Sequence, residues 1–426
     1  MRARAEQITL WQWALIALVA GYTSYFTRVT LAAHHGLGTS AYDYGLYDQG
    51  IWLMSRFESP FVTLMGRNLM GDHTSFILVF LVPVFWAFPS AGALFFAQSL
   101  AIALGAVPVY LLGKRLLHDD GLAVVLAACY LLHPAVGWTN RENFHPDSFI
   151  AALVGMAIYA AVDRRWRMYA VFVFLSLLVK EDASLVLVPL GAWVAIKRDW
   201  RIGVLSMVLC VGYMLAAMFL VMRSLIGVPT RNAWRVPSGG PGGFLRRVVT
   251  DPTDVVRHYW SDDRPFYFWQ MTLPFAWVFA AAPSVALISL LVLATNMLST
   301  FWYQYQIEYH YALVAVPALA MGTVYAVSRV AERWRPAVVV SAQHSISAHL
   351  SRRDEIYMFP TPFAAELYGP DDSLTGRRLP AADRVDYVLW PSAMDAKMKF
   401  QWAAWEDDFV LMAENQWWML FRRASP

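Results

Sequence analysis

The chain is poor in cysteine and in charge. It has two cysteines, Cys129 and Cys210, and both lie in apolar runs. Neither is placed for a disulfide or a zinc site, so both are expected to be core thiols. Charged residues make up 15% of the chain and apolar residues 58%, whereas an average soluble protein has about 25% charged residues. These proportions argue against a soluble protein and indicate that much of the chain faces lipid.

Several functional signatures are also missing. The sequence has no Gly-rich nucleotide loop, no Gly-x-Ser-x-Gly and no His-Glu-x-x-His, which disfavours nucleotide-driven and zinc-protease chemistry. The net charge of +3 does not suggest a nucleic-acid partner. The 19 Trp and 20 Tyr instead fit the aromatic belts that form at the headgroup level of a bilayer.

Long apolar runs recur along the chain and predict an α-helical multi-pass membrane protein. The first run, 8–33, is long enough to stay in the bilayer as a signal anchor, and Arg2 and Arg4 before it favour a cytoplasmic N-terminus. With the later runs it gives about ten or eleven spanning helices. The other runs expected to cross the membrane are 91–113, 121–138, 148–162, 168–179, 183–196, 202–222, 266–282, 284–302 and 311–328.

Basic clusters indicate which loops face the cytoplasm, because Lys and Arg are enriched there. The run 75–88 has about 14 residues and contains Pro83, so it is expected to be a juxtamembrane helix in the first outer loop. With that choice every basic cluster falls inside. The clusters are 114–115, 164–167, 197–201 and 329–335.

Acidic and histidine-bearing segments then gather on the opposite, extracytoplasmic side. The charge rule counted only Lys and Arg, so this convergence is a separate observation. Charge at the edge of a bilayer is costly and usually functional. The segments are 43–48, 72–73, 140–147, 180–182 and 306–310.

Asp43 and Asp48 lie among aromatic residues just after the first apolar run. On a continuous helix they would be about 140° apart and could not share a face. We expect Gly45 to let the backbone turn, with Asp43 in a loop and Asp48 on a short surface helix. One carboxylate could then act as a base on an acceptor hydroxyl, and the other could hold an ion or orient the first. The alternative is a helix cap and a surface acid.

His145-Pro146-Asp147 predicts the start of a helix. Proline suits the first helical position and aspartate the first turn, which explains Asp147 by structure alone. It does not explain the crowding of the same turn by Asn140, Glu142, Asn143 and His145. We therefore expect His145 and Asp147 to bind substrate.

Lys180-Glu181-Asp182 separates the short runs 168–179 and 183–196, which are expected to form a helical hairpin that turns near the outer face. In one interpretation Lys180 and Glu181 neutralise each other and Asp182 caps the next helix. In the other, Lys180 binds a phosphate and Glu181 helps to form an ion or acceptor site, and Asp182 is counted with them among the substrate-binding residues.

Glu308 and His310 are two residues apart and share a face if the chain is extended. With Asp72 and His73 they could ligate a divalent cation such as Mg²⁺ or Mn²⁺. The alternative is an ordinary hydrogen-bonding histidine at a helix mouth.

The segment 223–264 has Pro-Gly and Gly-Gly signals and is expected to be an outer loop or lid. Arg231 and Arg235 lie in it and could bind phosphate at the membrane surface. The alternative is that they are solvated loop charges.

From residue 336 the pattern changes. We therefore predict two domains, a membrane domain at 1–335 and a small α/β domain at 336–426. The predicted strands of the second domain are 337–341, 355–359, 385–390, 409–413 and 417–422.

These motifs together resemble a family of multi-pass bacterial and archaeal membrane proteins, the domain of unknown function 2079. The likeness runs from residue 42 to the C-terminus. The motifs that carry it are Asp43-Tyr44-Gly45-Leu46-Tyr47-Asp48-Gln49-Gly50-Ile51-Trp52, Asp72-His73, Phe144-His145-Pro146-Asp147, Val179-Lys180-Glu181-Asp182, His310-Tyr311, Ser341-Ala342-Gln343-His344, His349-Leu350 and Ile356-Tyr357.

That family is in turn similar to the GT-C glycosyltransferases, which use polyprenyl-phosphate sugars on the extracytoplasmic side. The resemblance implies a catalytic acid in the first outer loop, matched by Asp43 or Asp48, with Gln49 beside it as a substrate contact. It implies a second acidic outer loop, matched by His145 and Asp147. It also places the tail domain outside, whereas charge counting places it in the cytoplasm.

The sequence therefore predicts a membrane glycosyltransferase that moves a sugar from a polyprenyl-phosphate donor to a glycan, lipid or protein acceptor. A transporter or lipid flippase is the main alternative. It predicts charges in mid-helix and paired broken helices in two halves, whereas the charges here lie at helix ends. A membrane scaffold that presents the tail domain would leave the outer acids unexplained.

Overall fold

The computed structural model describes residues 8–334, 338–350, 355–370, 372–393 and 396–424. The chain divides into two compact units, Met1–Ala331 and Glu332–Pro426. The first unit is mainly helical and the second contains a mixed sheet.

The helices of the first unit follow one another with short connections. Its α-helices are α1 Leu10–His35, α2 Leu46–Ser55, α3 Leu69–Asp72, α4 Val82–Ala87, α5 Ala91–Ala103, α6 Ala106–Leu117, α7 Asp120–Leu131, α8 Pro134–Glu142, α9 Ile150–Val162, α10 Trp166–Leu177, α11 Ser184–Lys197, α12 Trp200–Ala216, α13 Arg223–Ile226, α14 Pro241–Thr250, α15 Pro252–Tyr259, α16 Arg264–Thr272, α17 Leu290–Leu298 and α18 Val316–Trp334, which ends in the second unit. A small antiparallel hairpin, β1 Phe61–Val62 with β2 Arg67–Asn68, follows α2.

Four described helical segments are long and apolar enough to cross a membrane, by length and composition. A fifth forms if α7 and α8, which meet at a bend of 47°, count as one span. The expected number of about ten or eleven spans stays a prediction, because several runs form apolar helices of only 10–17 residues. The four segments are Leu10–His35, Ala91–Leu117, Trp200–Ile226 and His310–Ala331.

The predicted span 266–282 is wrong as a continuous helix. Its α16 ends at Thr272, and short 3₁₀ turns follow at Leu273–Phe275 and Val278–Ala281. Proline lacks the amide proton that a continued helix needs, and Pro274 lies at this break. Ala276 and Trp277 then adopt positive φ angles of 48° and 53°.

Helices α11 and α12 pack at close range through glycine. A Cβ atom on Gly203 would overlap the backbone nitrogen of Ala195 and lie 2.5 Å from the carbonyl oxygen of Gly191. Small residues allow membrane helices to approach in this way. Since α11 packs mainly on α12 and α10 packs mainly on α9, the expected hairpin of 168–179 and 183–196 is a connection rather than a packed pair.

The expected loop or lid at 223–264 is partly helical. Its helix α14 carries Leu245 and Val249 on one face, and these side chains are 66% and 82% exposed. Arg246 and Arg247 lie on the other face, so that α14 is amphipathic with its apolar side uncovered. This pattern is typical of helices at a membrane surface.

The second unit is built on a five-stranded sheet of order β4-β3-β5-β7-β6. β3 is parallel to β4 and β5, and β7 is antiparallel to β5 and β6. The ends of each strand lie within two residues of the ends of a predicted strand. Residue 337, the predicted first residue of β3, falls outside the described residues. The elements are β3 Val339–Ala342, α19 His344–His349, β4 Ile356–Met358, β5 Val385–Pro391, α20 Ala396–Ala403, β6 Phe409–Glu414 and β7 Trp418–Arg423.

Candidate functional site

Several distant segments of the first unit bring charged side chains together. The end of α8, the turn before α9 and the turn before α18 meet the π-helical turn Ala41–Gly45 that precedes α2. Segments that the charge pattern placed on one side of the membrane therefore meet in space. We call five of their residues the acidic histidine cluster: Asp43, Glu142, His145, Asp147 and His310.

His145 lies at the centre of the acidic histidine cluster. Its backbone N–H donates to Oε1 of Gln98 at 2.7 Å. Its Nε2 is 3.5 Å from Oδ1 of Asp43, and its Nδ1 is 3.4 Å from Oδ2 of Asp147. Burial lowers the pKa of His145, but the hydrogen bonds with Asp147 and Asp43 and the charge of Glu142 raise the pKa to about 9.

His310 stacks on His145, with ring centroids 3.5 Å apart and planes 14° apart. Its backbone N–H donates to Oε2 of Glu142 at 2.6 Å, and its Nδ1 lies 3.0 Å from Oε1 of the same carboxylate. The side chains of His310 and Glu142 are only 5% and 7% exposed. Glu142 therefore orients His310 through both the backbone and the ring.

Lys180 joins the acidic histidine cluster from the connection between α10 and α11. Its Nζ is 3.7 Å from Oδ1 of Asp147 and 3.5 Å from Oδ2 of Asp182, and the side chain is 3% exposed. Nζ of Lys180 also lies over the ring of Tyr311, 5.5 Å from the ring centroid. Burial lowers the pKa of Lys180, but the charges of Asp147 and Asp182 outweigh this and raise the pKa.

Glu181 turns away from Lys180 and binds a different partner. Its Oε1 lies 2.7 Å from Nδ1 of His73, and its Oε2 accepts from the backbone N–H of Thr74 at 3.0 Å. Burial raises the pKa of Glu181, but the charge and hydrogen bond of His73 bring it below its usual range. The N-cap residue of α11 is Ala183, which makes no side-chain cap hydrogen bond. Lys180 and Glu181 thus each have closer partners than one another, although their charges also interact.

The structure separates Asp43 from Asp48. The expected turn at Gly45 is wrong, since Gly45 has helical φ and ψ angles of −61° and −39° and Asp43 lies on a π-helical turn. Burial raises the pKa of Asp43, but the hydrogen bond with His145 and the charges of His145 and His310 lower it by more, so the pKa lies below its usual value. Asp48 instead interacts with Tyr44 and His34, and burial raises its pKa.

The expected metal set is not assembled as predicted. Asp72 pairs with Arg67, whose Nε donates to Oδ1 at 2.9 Å, and His73 pairs with Glu181. Glu308 is half-buried. Within the described residues, the histidine, cysteine and acidic side chains close enough to share a metal are Glu142, His145 and His310.

A cavity of about 240 Å³ adjoins the pair of Glu181 and His73. Arg235 lines it and donates from Nη1 to the hydroxyl of Tyr311 at 3.2 Å. Nε of Arg235 and Oε1 of Gln304 are buried and have no hydrogen-bond partner among the described residues. Arg231 is exposed. Other lining residues include Asp182, Leu185, Met214, Met218, Asn232 and Ser299.

One site residue, Glu142, had a weak signal in the sequence, and another, Gln98, had none. Glu142 stood out only as part of a crowded turn, and its partner His310 is 168 residues away. Gln98 lies within the apolar helix α5 and had no signal, although its amide holds the backbone of His145. Gln49, expected to bind substrate, donates from Nε2 to the hydroxyl of Thr63 at 2.8 Å.

One hydrogen bond between distant segments lies beside the acidic histidine cluster. The backbone N–H of Ser40 donates to Oδ1 of Asn143 at 3.0 Å. This bond ties the turn that carries Asp43 to the loop that carries His145. The two segments are thus joined beside the place where Asp43 and His145 meet.

Comparisons with known proteins place the chain in a family. Residues 33–352 match the family described as Predicted membrane protein (DUF2079). No curated protein matches. Among solved structures the chain is similar to ArnT from Cupriavidus metallidurans, crystallised with undecaprenyl phosphate, at 14% identity and a TM-score of 0.47. The match covers 76% of this chain and 61% of that chain. Because the family match spans well over half of its length, the chain belongs to the DUF2079 family of predicted membrane proteins.

Proposed function

We propose that this chain is an integral membrane glycosyltransferase of the bacterial or archaeal cell membrane. Its donor is a sugar linked to a polyprenyl phosphate, and its acceptor is a hydroxyl group of a glycan, lipid or protein. The N-terminus faces the cytoplasm and the acidic histidine cluster faces outward. The observation that carries the proposal is the position of Asp43, a partly open carboxylate held against a buried group of charges.

Asp43 is suited to act as a general base. Its side chain is 33% exposed, whereas those of His145 and Asp147 are 9% and 4% exposed. The open side can meet an acceptor hydroxyl, while the contact with His145 orients the carboxylate. Asp48 interacts with Tyr44 and His34 instead, which makes it the weaker candidate.

The reaction is a single displacement. The acceptor oxygen attacks the anomeric carbon of the donor sugar while the bond from that carbon to the phosphate oxygen breaks. The hydroxyl proton passes to Asp43, and the polyprenyl phosphate leaves with the bonding electrons. A positioned base of this kind typically contributes about 10²–10⁴-fold to the rate.

The cavity beside Arg235 supports a phosphate site. Arg235 lines this cavity, its buried Nε has no hydrogen-bond partner among the described residues, and the guanidinium geometry is well suited to phosphate. Met214 and Met218 of the membrane-length segment Trp200–Ile226 form part of the wall. A lipid-linked donor could thus place its phosphate at Arg235 and its tail along that segment. Contacts lead from the cavity through Asp182, Lys180 and Asp147 to His145 and Asp43.

The proposal is tested by reconstituting the protein in liposomes with a panel of radiolabelled polyprenyl-phosphate sugars, with and without divalent cations. We expect one donor to release free polyprenyl phosphate and to yield labelled acceptor. Arg235→Gln should raise the KM for that donor about tenfold or more, since hydrogen bonds to charged groups contribute about 1.5–3 kcal/mol. The exposed Arg231→Gln is the matched control and should leave the KM unchanged.

The alternative function gives a different result in the same liposomes. A transporter or lipid flippase would move the labelled lipid across the bilayer with its sugar still attached. Intact movement without cleavage of any donor in the panel would overturn the proposed transferase.

A further inference from the structure

Glu142, His145 and His310 have the composition of a metal-binding site. Each offers one ligand atom, and these atoms all lie within 4.8 Å of one another. The side chains are 7%, 9% and 5% exposed, so water does not compete freely for them. We infer that these three residues bind one divalent transition-metal ion.

The surroundings orient the ligands. Nδ1 of His145 faces Asp147 at 3.4 Å, and Nδ1 of His310 faces Glu142 at 3.0 Å. Metal-binding histidines usually give one ring nitrogen to a carboxylate or carbonyl, which fixes the ring and leaves the other nitrogen for the ion. The amide of Gln98 holds the backbone of His145 in addition. His145 is therefore held by Asp147 and Gln98 from outside the group, whereas His310 is held by Glu142, which is itself one of the three.

The local charge also favours a cation. Three carboxylates surround the stacked imidazoles, those of Asp43, Glu142 and Asp147. Lys180 contacts one of them, Asp147. Buried charges need compensation. A divalent ion between the carboxylates supplies it without placing two cationic rings against each other.

The ligand types select among metals. Imidazole suits Zn²⁺ and other transition metals, whereas Mg²⁺ prefers oxygen ligands and keeps several waters. Two histidines and one glutamate thus favour Zn²⁺ over the Mg²⁺ or Mn²⁺ expected from the sequence. Because a metal lies in the plane of each imidazole ring, ligand distances near 2.1 Å require the rings of His145 and His310 to tilt out of their stacked arrangement, in which the planes are 14° from parallel.

Metal content gives the first test, and it does not depend on sugar transfer. The protein is purified through a tag without histidine, incubated with Zn²⁺ or Mn²⁺, desalted and analysed by mass spectrometry. We expect about one ion per chain for the wild type. His310→Gln and Glu142→Gln should lose the ion, and Asp147→Asn should weaken binding about 10–100-fold because it removes an orienting partner.

Glu308→Gln is the matched control. Glu308 lies two residues from His310 and was expected to bind metal from the sequence, but the structure leaves it outside the group. This variant should keep the wild-type metal content. A wild type that binds no stoichiometric metal, or a His310→Gln variant that retains as much as Glu308→Gln, would overturn the inference.

A Co²⁺ titration of the wild-type protein covers the case in which the ligand variants do not fold. Bound Co²⁺ should give visible absorption bands of a low-symmetry site with nitrogen ligands. A featureless spectrum at saturating Co²⁺ contradicts the site. Neither result bears on the proposed transferase activity, which is tested separately by release of polyprenyl phosphate in liposomes.

Discussion

Replacing Lys180 with methionine should destabilise the protein strongly. The Lys180 side chain is 3% exposed and lies 3.7 Å from Asp147, which is itself 4% exposed. Methionine keeps the length of the side chain and removes only its charge, so Asp147 loses its ammonium partner inside the protein. Breaking a buried ion pair from one side typically costs about 3–5 kcal/mol. We expect a loss of that size in the free energy of unfolding.

The loss can be measured by SDS titration in mixed micelles, with helix content followed by circular dichroism. Arg115→Gln is the matched control, because Arg115 also pairs with a carboxylate, Asp163, but its side chain is 60% exposed. The control should change stability little, as exposed pairs contribute little. Adding Asp147→Asn to Lys180→Met should recover part of the loss. A Lys180→Met variant as stable as Arg115→Gln would refute the reasoning.

Two further predictions concern packing and the membrane surface. Gly203→Ala should lower the free energy of unfolding by about 1–3 kcal/mol, because the added methyl group overpacks α12 against α11. Gly212→Ala on the same helix is the control and should be neutral in the same SDS titration, since a Cβ atom there meets no described atom within 4 Å. Equal stability of the two variants would contradict the close approach of the helices. The apolar face of α14 is expected to lie in lipid. A spin label at Val249 should therefore be accessible to oxygen and shielded from a water-soluble nickel complex, and a label at Arg246 should show the reverse. Equal nickel accessibility at both positions would place α14 in water.

The strands of the second unit could be predicted because their signal is local. β5 runs from Val385 to Pro391 against a predicted 385–390, and Val385, Val388 and Trp390 are its buried residues. A short run rich in β-branched and aromatic residues can be recognised without knowledge of distant contacts. The turn signals between the strands are equally local.

Gly45 shows how a local signal can mislead. Glycine suggested a turn between Asp43 and Asp48, but the helix continues through it. A Cβ atom on Gly45 would lie 3.0 Å from Cδ1 of Leu64, so space rather than backbone freedom accounts for the glycine. The sequence does not contain this information, because Leu64 reaches Gly45 only in the folded structure.

The partners within the acidic histidine cluster were beyond sequence reasoning for a related reason. Charge patterning gathered the outer acidic segments on one side, but it could not say which side chains touch. His310 was grouped with Asp72 and His73, whereas it binds Glu142 across 168 residues. Such pairings depend on how the helices pack, and a single sequence gives no measure of that.

Asp43 is proposed to be the base in sugar transfer, and a matched pair of variants distinguishes it from Asp48. Transfer rates from the identified polyprenyl-phosphate donor are compared for Asp43→Asn and Asp48→Asn, two neutralising changes five positions apart. The account predicts a loss of about 10²–10⁴-fold for Asp43→Asn and a rate close to wild type for Asp48→Asn. Wild-type transfer by Asp43→Asn would contradict it.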